Sequence, residues 1–258
     1  MNYQGISEHI VNWLKSYLHQ SHLKGFVVGI SGGIDSALTS TLCAMTGEKV
    51  ILLNMPIRQT DAEYKRAQEH IEDLKVRFPL VESIEINLSS SFAALESLYP
   101  KDVVSNHLAM ANTRARLRMT TLYAIAQAHG CLVAGTGNKI EDFGIGFFTK
   151  YGDGGVDLSP IADLTKTQVK ALSLQLGIVG SILQAQPTDG LWEDGRSDED
   201  QIGATYAELE WAMDFKGDST LLNPREQEVL TIYKRLNTIN KHKMEPIPVC
   251  IIPKDLFE

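Results

Sequence analysis

The spacing of apolar residues predicts strands and helices that alternate along the first half of the chain. Apolar side chains recur at helical spacing from Ile6 to Leu18, which predicts an amphipathic first helix. Short apolar runs with the length of buried strands follow at 26–30, 50–55, 83–88 and 131–134. Helical stretches separate these runs, at 34–45, 60–78 and 106–129. Thr60 and Glu63 have the spacing of a capping box at the start of the second stretch.

Strands that alternate with helices are typical of a doubly wound α/β fold, in which a mostly parallel sheet lies between two layers of helices. Ligands bind in such folds at the carboxyl ends of the strands, where the strand order reverses. We therefore expect a binding site at the loops after Ile30, Met55 and Ala134. Beyond a glycine-rich loop, further helices are predicted at 165–176, 197–213 and 223–240. Because no repeat or linker divides the chain, we predict a single domain over 1–258.

Composition narrows the classes of function. The 258 residues carry 24 Lys plus Arg against 32 Asp plus Glu, and the formal charge of −8 disfavours a nucleic-acid surface. The segment 1–20 lacks the apolar run of a signal peptide, and polar residues interrupt the uncharged stretches, so we expect a cytoplasmic protein without a membrane helix. Cys43, Cys131 and Cys250 lie far apart and predict neither disulfides nor a zinc site. Small-molecule chemistry is the remaining expectation.

The strongest chemical signal is the glycine loop after the first predicted strand. Ser31-Gly32-Gly33-Ile34-Asp35-Ser36 opens a helix, so backbone N–H groups and the helix N-terminus favour a bound anion there. The loop lacks the lysine of a Walker A sequence, so an ATP-using protein of this kind needs a phosphate-binding lysine from elsewhere. A plain strand-to-helix turn is the alternative. A second loop, Gly135-Thr136-Gly137, matches the first part of the Gly-x-Gly-x-x-Gly sequence that binds dinucleotides, but Ile140 stands where the third glycine is needed. This difference disfavours a Rossmann NAD cofactor site.

The Ser-Gly-Gly-x-Asp-Ser loop resembles the pyrophosphate loop of the ATP pyrophosphatases, which split ATP into AMP and pyrophosphate. The loop alone is shared by GMP synthetase, asparagine synthetase and tRNA-modifying enzymes. Later segments resemble NAD synthetase, and the most specific of them is Tyr151-Gly152-Asp153-Gly154-Gly155. The other matching segments are 112–119, Gly135-Thr136 with Glu141, 147–160, 164–166, Pro187-Thr188, 197–199 and His242-Lys243. The resemblance covers nearly the whole chain.

The resemblance implies an ATP-dependent ligase on an adenine-nucleotide-hydrolase-like, Rossmann-like fold of three layers. NAD synthetases adenylylate the nicotinate carboxylate of deamido-NAD with MgATP, and ammonia then displaces AMP to give NAD. Asp35 and Glu141 would hold Mg²⁺, and Lys166 would contact the phosphates. The residues implied in the ATP loop are Gly29, Ser31, Gly32, Gly33, Ile34, Asp35 and Ser36. Family members are homodimers, and the first helix and the 106–129 helix are the candidates to pair.

Further site residues are implied position by position. Asp153 and Asp157 would form the ammonium site, with Asp153 favoured, because a carboxylate is the simplest group to dock or deprotonate ammonium. Contacts to AMP and ATP are assigned to Arg58, Gln59, Thr136 and Thr188. Contacts to deamido-NAD are assigned to Asn112, Arg116, Glu199, His242 and Lys243, with Lys150 as a further substrate contact. The neighbouring Arg114 and Arg118 fit equally well as exposed helix charges.

Two features leave the nitrogen source and the reaction open. Ammonia-using members of the family often carry Asp-His after the Gly-Thr, whereas this chain has Gly137-Asn138-Lys139. The Gly-Asn-Lys form is associated with glutamine-using relatives. The residues before Phe26 are too few for an amidohydrolase domain, so free ammonia or a separate partner is expected to supply the nitrogen. The rival functions are another ATP-dependent amide- or thio-forming ligase and a nucleotide-binding regulatory module without turnover.

An acidic run lies between the glycine-rich segment and the last predicted helices. It contains Glu193, Asp194, Asp198, Glu199 and Asp200. The run lacks the spacing of a calcium-binding loop, which favours a solvated loop. The resemblance implies that this loop becomes ordered over the substrates when ATP binds.

Overall fold

The architecture is a parallel sheet of four strands with helices on both faces. The computed structural model describes residues 1–185 and 197–257. The strands are β1 (Gly25–Gly29), β2 (Lys49–Asn54), β3 (Val81–Glu85) and β4 (Leu132–Val133). Their order in the sheet is β3-β2-β1-β4, and each of the three pairings is parallel. The prediction of a doubly wound α/β fold is confirmed.

Helices connect the strands and continue to the C-terminus. They are α1 (Tyr3–Gln20), α2 (Ile34–Met45), α3 (Asp61–Arg77), α4 (Ser89–Leu98), α5 (Lys101–Val104), α6 (His107–His129), α7 (Lys166–Gln175), α8 (Gly180–Leu183), α9 (Asp198–Ile202), α10 (Tyr206–Asp214) and α11 (Pro224–Met244). A π-helical turn spans Lys139–Ile145, and 3₁₀ turns lie at Ser219–Leu221 and Lys254–Leu256. Within the described ranges, no helix is both long and apolar enough to cross a membrane.

The observed elements differ from the predicted ones in three places. β3 ends earlier than predicted, because the chain bends toward the loop after β2, where the Leu88 N–H donates to a backbone oxygen. The single helix predicted at 197–213 is two helices, since Gly203 ends α9 with a φ of +85° and Thr205 caps α10. The short helices α4, α5 and α8 and the π-helical turn were not predicted. The capping box of Thr60 and Glu63 is present.

Side chains that alternate along the central strands fill two apolar cores. Val28 and Leu52 pack with α1, α2, α3 and α7, whereas Val27 and Ile51 pack with α4 and α6 on the opposite face. Each fully buried side chain of this size contributes about 1.5 to 3 kcal/mol to stability. A third cluster joins the π-helical turn to α10 and α11 around Ile140. The sheet is therefore fixed from both faces, and the C-terminal helices are fixed to the loop after β4.

The strand order reverses between β1 and β4. The chain proceeds from β1 through β2 to β3 on one side and then returns to place β4 on the other side. Because all strands are parallel, the loops after β1, β2 and β4 leave the sheet at the same edge. Ala134 and Leu158 form a parallel bridge just beyond β4, which attaches the end of the glycine-rich segment to this edge. The three loops singled out from the sequence therefore meet.

A glycine with positive φ shapes the loop between β1 and α2. Gly32 has a φ of +83°, and a Cβ atom there would lie 2.5 Å from the carbonyl oxygen of Glu63. Two serines close the loop, since the Oγ atoms of Ser31 and Ser36 are 3.0 Å apart and Ser36 Oγ donates to the Gly33 carbonyl at 2.9 Å. The backbone at the start of α2 is therefore held in one conformation against α3.

We expect Gly32→Ala to lower the free energy of unfolding by about 3 kcal/mol or more, because its methyl group adds a main-chain clash to a left-handed backbone. Gly177→Ala is the matched control. Gly177 has a φ of +69° with open space at the Cβ position, so that variant should lose only about 1 kcal/mol. Urea unfolding of both variants measures the difference, and equal losses would contradict this account of the loop.

Candidate active site

A cleft of about 720 Å³ opens at the carboxyl ends of the strands, where this fold is expected to bind a ligand. The β1–α2 loop, the loop after β2, α6, the glycine-rich segment and α7 all contribute to its lining. The residues assigned from the sequence that line it are Gly29, Ser31, Gly32, Gly33, Ile34, Asp35, Gln59, Asn112, Thr136, Glu141, Asp153, Lys166 and Lys243. Ser36 lies behind the loop and supports it through Ser31. Most of the predicted site is therefore one continuous surface.

A buried ion cluster lies beside the glycine loop. The Lys166 Nζ donates to Asp35 Oδ2 at 2.6 Å and to Glu141 Oε1 at 2.8 Å. Asn138 Nδ2 donates to the other oxygen of Asp35 at 3.0 Å. Asp35 comes from the first turn of α2, Glu141 from the π-helical turn, and Lys166 from the first residue of α7, which Thr165 caps. Three separate elements thus converge on one ammonium group.

The charges in this cluster are strongly coupled. Burial raises the pKa of Glu141, and the nearby Asp35 raises it further, while Lys166 opposes both effects. Burial alone would lower the pKa of Lys166, but the two carboxylates reverse this and raise it above its ordinary value. Lys166 therefore stays charged. Two carboxylates share one ammonium group, so the cluster attracts further positive charge when both acids are ionised.

The cluster fits a magnesium ion that arrives with a nucleotide. Mg²⁺ prefers oxygen ligands and is commonly held by one or two carboxylates together with substrate phosphates and water. Asp35 and Glu141 supply two such carboxylates on the lining of the cleft. No group of three or more His, Cys, Asp or Glu side chains within the described ranges is placed to hold a metal ion. A magnesium site formed by protein groups alone is therefore not indicated in this part of the chain.

The two aspartates of the glycine-rich segment have different surroundings. Asp153 faces the cleft, and its Oδ1 accepts a hydrogen bond from the Thr149 N–H at 3.0 Å. Partial removal from water raises its pKa, although hydrogen bonds from Thr149 oppose the shift. Asp157 instead accepts from the Tyr123 hydroxyl at 3.0 Å and from the Val133 N–H at 2.8 Å. Asp157 braces the end of β4 outside the cleft lining, so the geometry does not support its assignment to ammonium.

The arginines of α6 are arranged differently from the prediction. Arg116 is exposed outside the cleft lining, and its Nε and Nη2 donate to the Lys150 carbonyl at 3.3 and 3.2 Å. Arg118 is partly buried, lines the cleft and donates from Nε to the Met55 carbonyl at 3.1 Å. Burial lowers the pKa of Arg118 to about 10. Arg114 lies 5.8 Å from the centre of the Phe92 ring. The reading of Arg114 and Arg118 as exposed charges was therefore wrong.

The two residues assigned after β2 point in different directions. Arg58 has a φ of +49° and forms an ion pair with Glu96 outside the cleft lining, over the ring of Phe92. This contact engages its guanidinium outside the cleft lining and does not support its assignment to AMP. Gln59 lines the cleft and donates from Nε2 to the Ser31 carbonyl at 3.0 Å. Gln59 therefore braces the glycine loop directly.

The remaining assigned residues lie at the margin of the site. Lys243 lines the cleft, and its Nζ donates to the carbonyls of Gly146 and Phe148 at 2.7 and 2.9 Å. Lys150 Nζ donates at 2.5 Å to the carbonyl of His242, whose side chain is exposed. Four of these residues, Lys150, Glu199, His242 and Ser36, stand outside the lining. Thr188, with Pro187, Glu193 and Asp194, falls in 186–196 and lies outside the described residues.

Three residues that line or support the cleft were missed or misread from the sequence. Arg66 on α3 lines the cleft and donates from Nε to the Gly32 carbonyl at 3.2 Å. Arg118 was misread because only one of the three arginines in this helix, Arg116, is exposed, and helical periodicity alone does not show which one. Tyr206 contacts Glu141 from a helix far along the chain. No local pattern pointed to Tyr206, because its partner is remote in sequence.

Comparisons with known proteins identify the family of the chain. The family model described as NAD synthase matches residues 6–246. An NH(3)-dependent NAD(+) synthetase of Carboxydothermus hydrogenoformans is 36% identical over 247 residues, covering 94% of this chain and 96% of that protein. One of Mesoplasma florum is 38% identical over 205 residues, covering 79% and 81%. The solved structure of an NMN synthetase from Francisella tularensis has a TM-score of 0.84 at 31% identity, covering 98% and 99%. With the ion cluster, the glycine loop and these similarities together, the chain belongs to the NAD synthase family.

Proposed function

We propose that the protein is an ammonia-dependent NAD synthetase. With MgATP it adenylylates the nicotinate carboxylate of deamido-NAD, and ammonia then displaces AMP to give NAD, AMP and pyrophosphate. The observation that supports this best is the Lys166 ammonium held between Asp35 and Glu141 beside the glycine loop. The names of the curated relatives support the nitrogen source. The proposed setting of the reaction is the cytoplasm.

The phosphate end of the site is formed by the glycine loop and the ion cluster. The backbone of the loop and the N-terminus of α2 provide a favourable field for the pyrophosphate that leaves. Asp35 and Glu141 would hold Mg²⁺, which when bound with ATP supplies positive charge to the phosphates. Lys166, which contacts the two carboxylates, would pair with a phosphate oxygen of the bound nucleotide. Lys166 thus supplies the cation that the loop itself lacks.

Asp153 is proposed to hold ammonium next to the acyl adenylate. Its carboxylate faces the cleft on a segment fixed by Thr149, whose Oγ1 is also hydrogen-bonded to Asn112 Oδ1 at 2.7 Å. Ammonium must lose a proton before its lone pair can attack the adenylate, and a carboxylate at hydrogen-bond distance is a suitable acceptor. Asn112 on α6 connects this position to the side of the cleft where deamido-NAD is proposed to bind.

We propose a homodimer to account for three of the assigned residues that lie outside the cleft lining. Arg116, Lys150 and His242 form a connected cluster, in which Arg116 donates to the Lys150 carbonyl and Lys150 donates to the His242 carbonyl. Arg116 and His242 are exposed, and Lys150 is half-buried. We propose that this cluster contacts deamido-NAD bound in the cleft of a second copy. A substrate shared between two copies explains why residues assigned to it do not all line one cleft.

A second candidate substrate is nicotinate mononucleotide. The similarity to the Francisella NMN synthetase structure favours it, since that relative is named for the smaller product. Both substrates present the same nicotinate carboxylate, so the phosphate and ammonium groups of the site serve either reaction. The two substrates differ in the second nucleotide half, which only deamido-NAD has. Contacts of the protein with that half would therefore determine which of the two substrates is preferred.

The reaction is tested by incubating the purified protein with MgATP, either deamido-NAD or nicotinate mononucleotide, and either ammonium or glutamine. NAD and AMP in equal amounts from deamido-NAD and ammonium are the expected result. A preference for nicotinate mononucleotide, measured as kcat/KM, would transfer the assignment to NMN synthesis. If AMP forms under none of these conditions, the ligase proposal is wrong.

Asp153→Asn is expected to lower kcat/KM for ammonium by at least about tenfold, because it removes one charge-assisted hydrogen bond to the cation. Because the pKa of Asp153 is raised, its carboxylate becomes protonated at a higher pH than an ordinary aspartate does. As the pH is lowered, kcat/KM for ammonium in the unmodified protein should therefore begin to fall at that higher pH. The Asp153→Asn variant should lose this decline at low pH, which is the acid limb of its pH profile. The control is Asp163→Asn, which removes an exposed partner of Lys139. An unchanged acid limb in Asp153→Asn would contradict the assignment.

Mixing two variants of low activity tests whether the site is shared. Arg116→Ala subunits retain Asp153, and Asp153→Ala subunits retain Arg116. If Arg116 acts on the partner's cleft, each mixed dimer has one intact site, and random pairing restores about a quarter of the wild-type activity. If Arg116 serves its own cleft, no mixture recovers activity. Sedimentation of each variant confirms that the dimers form.

A further inference from the structure

Tyr206 makes three side-chain contacts around the ion cluster, although nothing in the sequence pattern singled it out. Its side chain is buried, and its hydroxyl donates to Glu141 Oε1, the oxygen that Lys166 also contacts. The same hydroxyl is 3.3 Å from Asp198 Oδ2. The Lys166 Nζ lies 4.9 Å from the centre of the Tyr206 ring, within the range of a cation–π contact. One side chain thus touches an acid, the lysine and a second acid.

The position of the Tyr206 hydroxyl is fixed by the fold. Tyr206 is the first residue of α10, and its backbone N–H donates to Glu199 Oε1 at 2.8 Å. Its ring packs in the third apolar cluster with Ile140 and Leu209. Ile140 directly precedes Glu141 in the π-helical turn, so the ring is packed against the same turn that carries its acceptor. Packing and a hydrogen bond therefore both connect Tyr206 to the turn that carries Glu141.

The hydroxyl can serve only one acceptor at a time. A phenol carries a single donor hydrogen, yet both Glu141 and Asp198 are within reach of it. Burial and the neighbouring Glu141 raise the pKa of Tyr206, so the group remains a neutral donor at physiological pH. A donated hydrogen bond directs the Glu141 oxygen toward Lys166, and the ring supports the ammonium from another side. Removal of the hydroxyl alone would leave Glu141 free to rotate about its side-chain bonds.

We propose that Tyr206 is a positioning residue, whose hydroxyl and ring hold Glu141 and Lys166 in the geometry that receives MgATP. The inference rests on the proposed function for the identity of the nucleotide. It assigns to α10 a role that is separate from substrate contact, because Tyr206 acts through Glu141 and Lys166. The ammonium site is on a different segment, where Asp153 is held by Thr149. The effect of Tyr206 should therefore be confined to the nucleotide.

Tyr206→Phe tests the proposal, because it removes the hydroxyl and keeps the ring. We expect the Kd for MgATP and the KM for ATP to rise about tenfold, since a hydrogen bond to a charged group is lost. The KM values for deamido-NAD and ammonium should stay within about twofold. Tyr123→Phe is the matched control, since it also deletes a phenolic donor to a carboxylate, that of Asp157 outside the cleft lining. It should leave the Kd for MgATP unchanged.

The Kd for MgATP is measured by calorimetric titration of the full-length protein without the second substrate. This readout needs no turnover, so a protein that binds MgATP without making NAD would overturn the proposed function and leave the Tyr206 inference standing. An unchanged Kd for MgATP in Tyr206→Phe overturns the inference. So does an equal rise in all three KM values with a lowered Tm, because that pattern indicates general loss of structure.

Discussion

The buried ion cluster of Lys166, Asp35 and Glu141 is the constraint on which the rest of this structure depends. Burying an ammonium group is costly unless carboxylates at hydrogen-bond distance compensate it, and here two of them do. Removing the lysine would leave two carboxylates without a compensating charge, at a cost of about 3 to 5 kcal/mol. The same three groups are those proposed to receive MgATP. The same contacts therefore contribute to the stability of the fold and to the proposed binding of the nucleotide.

The fold brings these three groups together from distant parts of the chain. Parallel strands place the loops after β1 and β4 at one edge of the sheet, and the reversal of strand order leaves a crevice between them. Asp35 enters from the helix that follows β1, and Glu141 from the π-helical turn that follows β4. The C-terminal helices then close the cluster from outside through Tyr206. A π-helical turn at this position agrees with the frequent occurrence of such turns at functional sites.

The sequence predicted the sheet, the glycine loop and a part of the cleft lining, because each depends on local patterns. The Thr60 capping box and the helix after Gly33 are set by neighbours along the chain. The directions in which the α6 arginines point were not predictable, because polar and apolar residues are mixed around α6 and define no single buried face. The position of Arg118 depends on a hydrogen bond to the Met55 carbonyl, which is distant in sequence. The contacts of Asp157 were not predictable for a similar reason, since its carboxylate accepts from the distant Tyr123 and from the end of β4.

A crystal structure with Mg²⁺ and a non-hydrolysable ATP analogue tests the central claim most directly. The claim is that Lys166 serves the two carboxylates and the nucleotide phosphates in turn. It predicts that the Lys166 Nζ moves out of hydrogen-bond distance from Asp35 Oδ2 and Glu141 Oε1 and contacts a phosphate oxygen. If the Nζ still bridges both carboxylates while the analogue and Mg²⁺ occupy the cleft, the exchange does not occur and the account is contradicted.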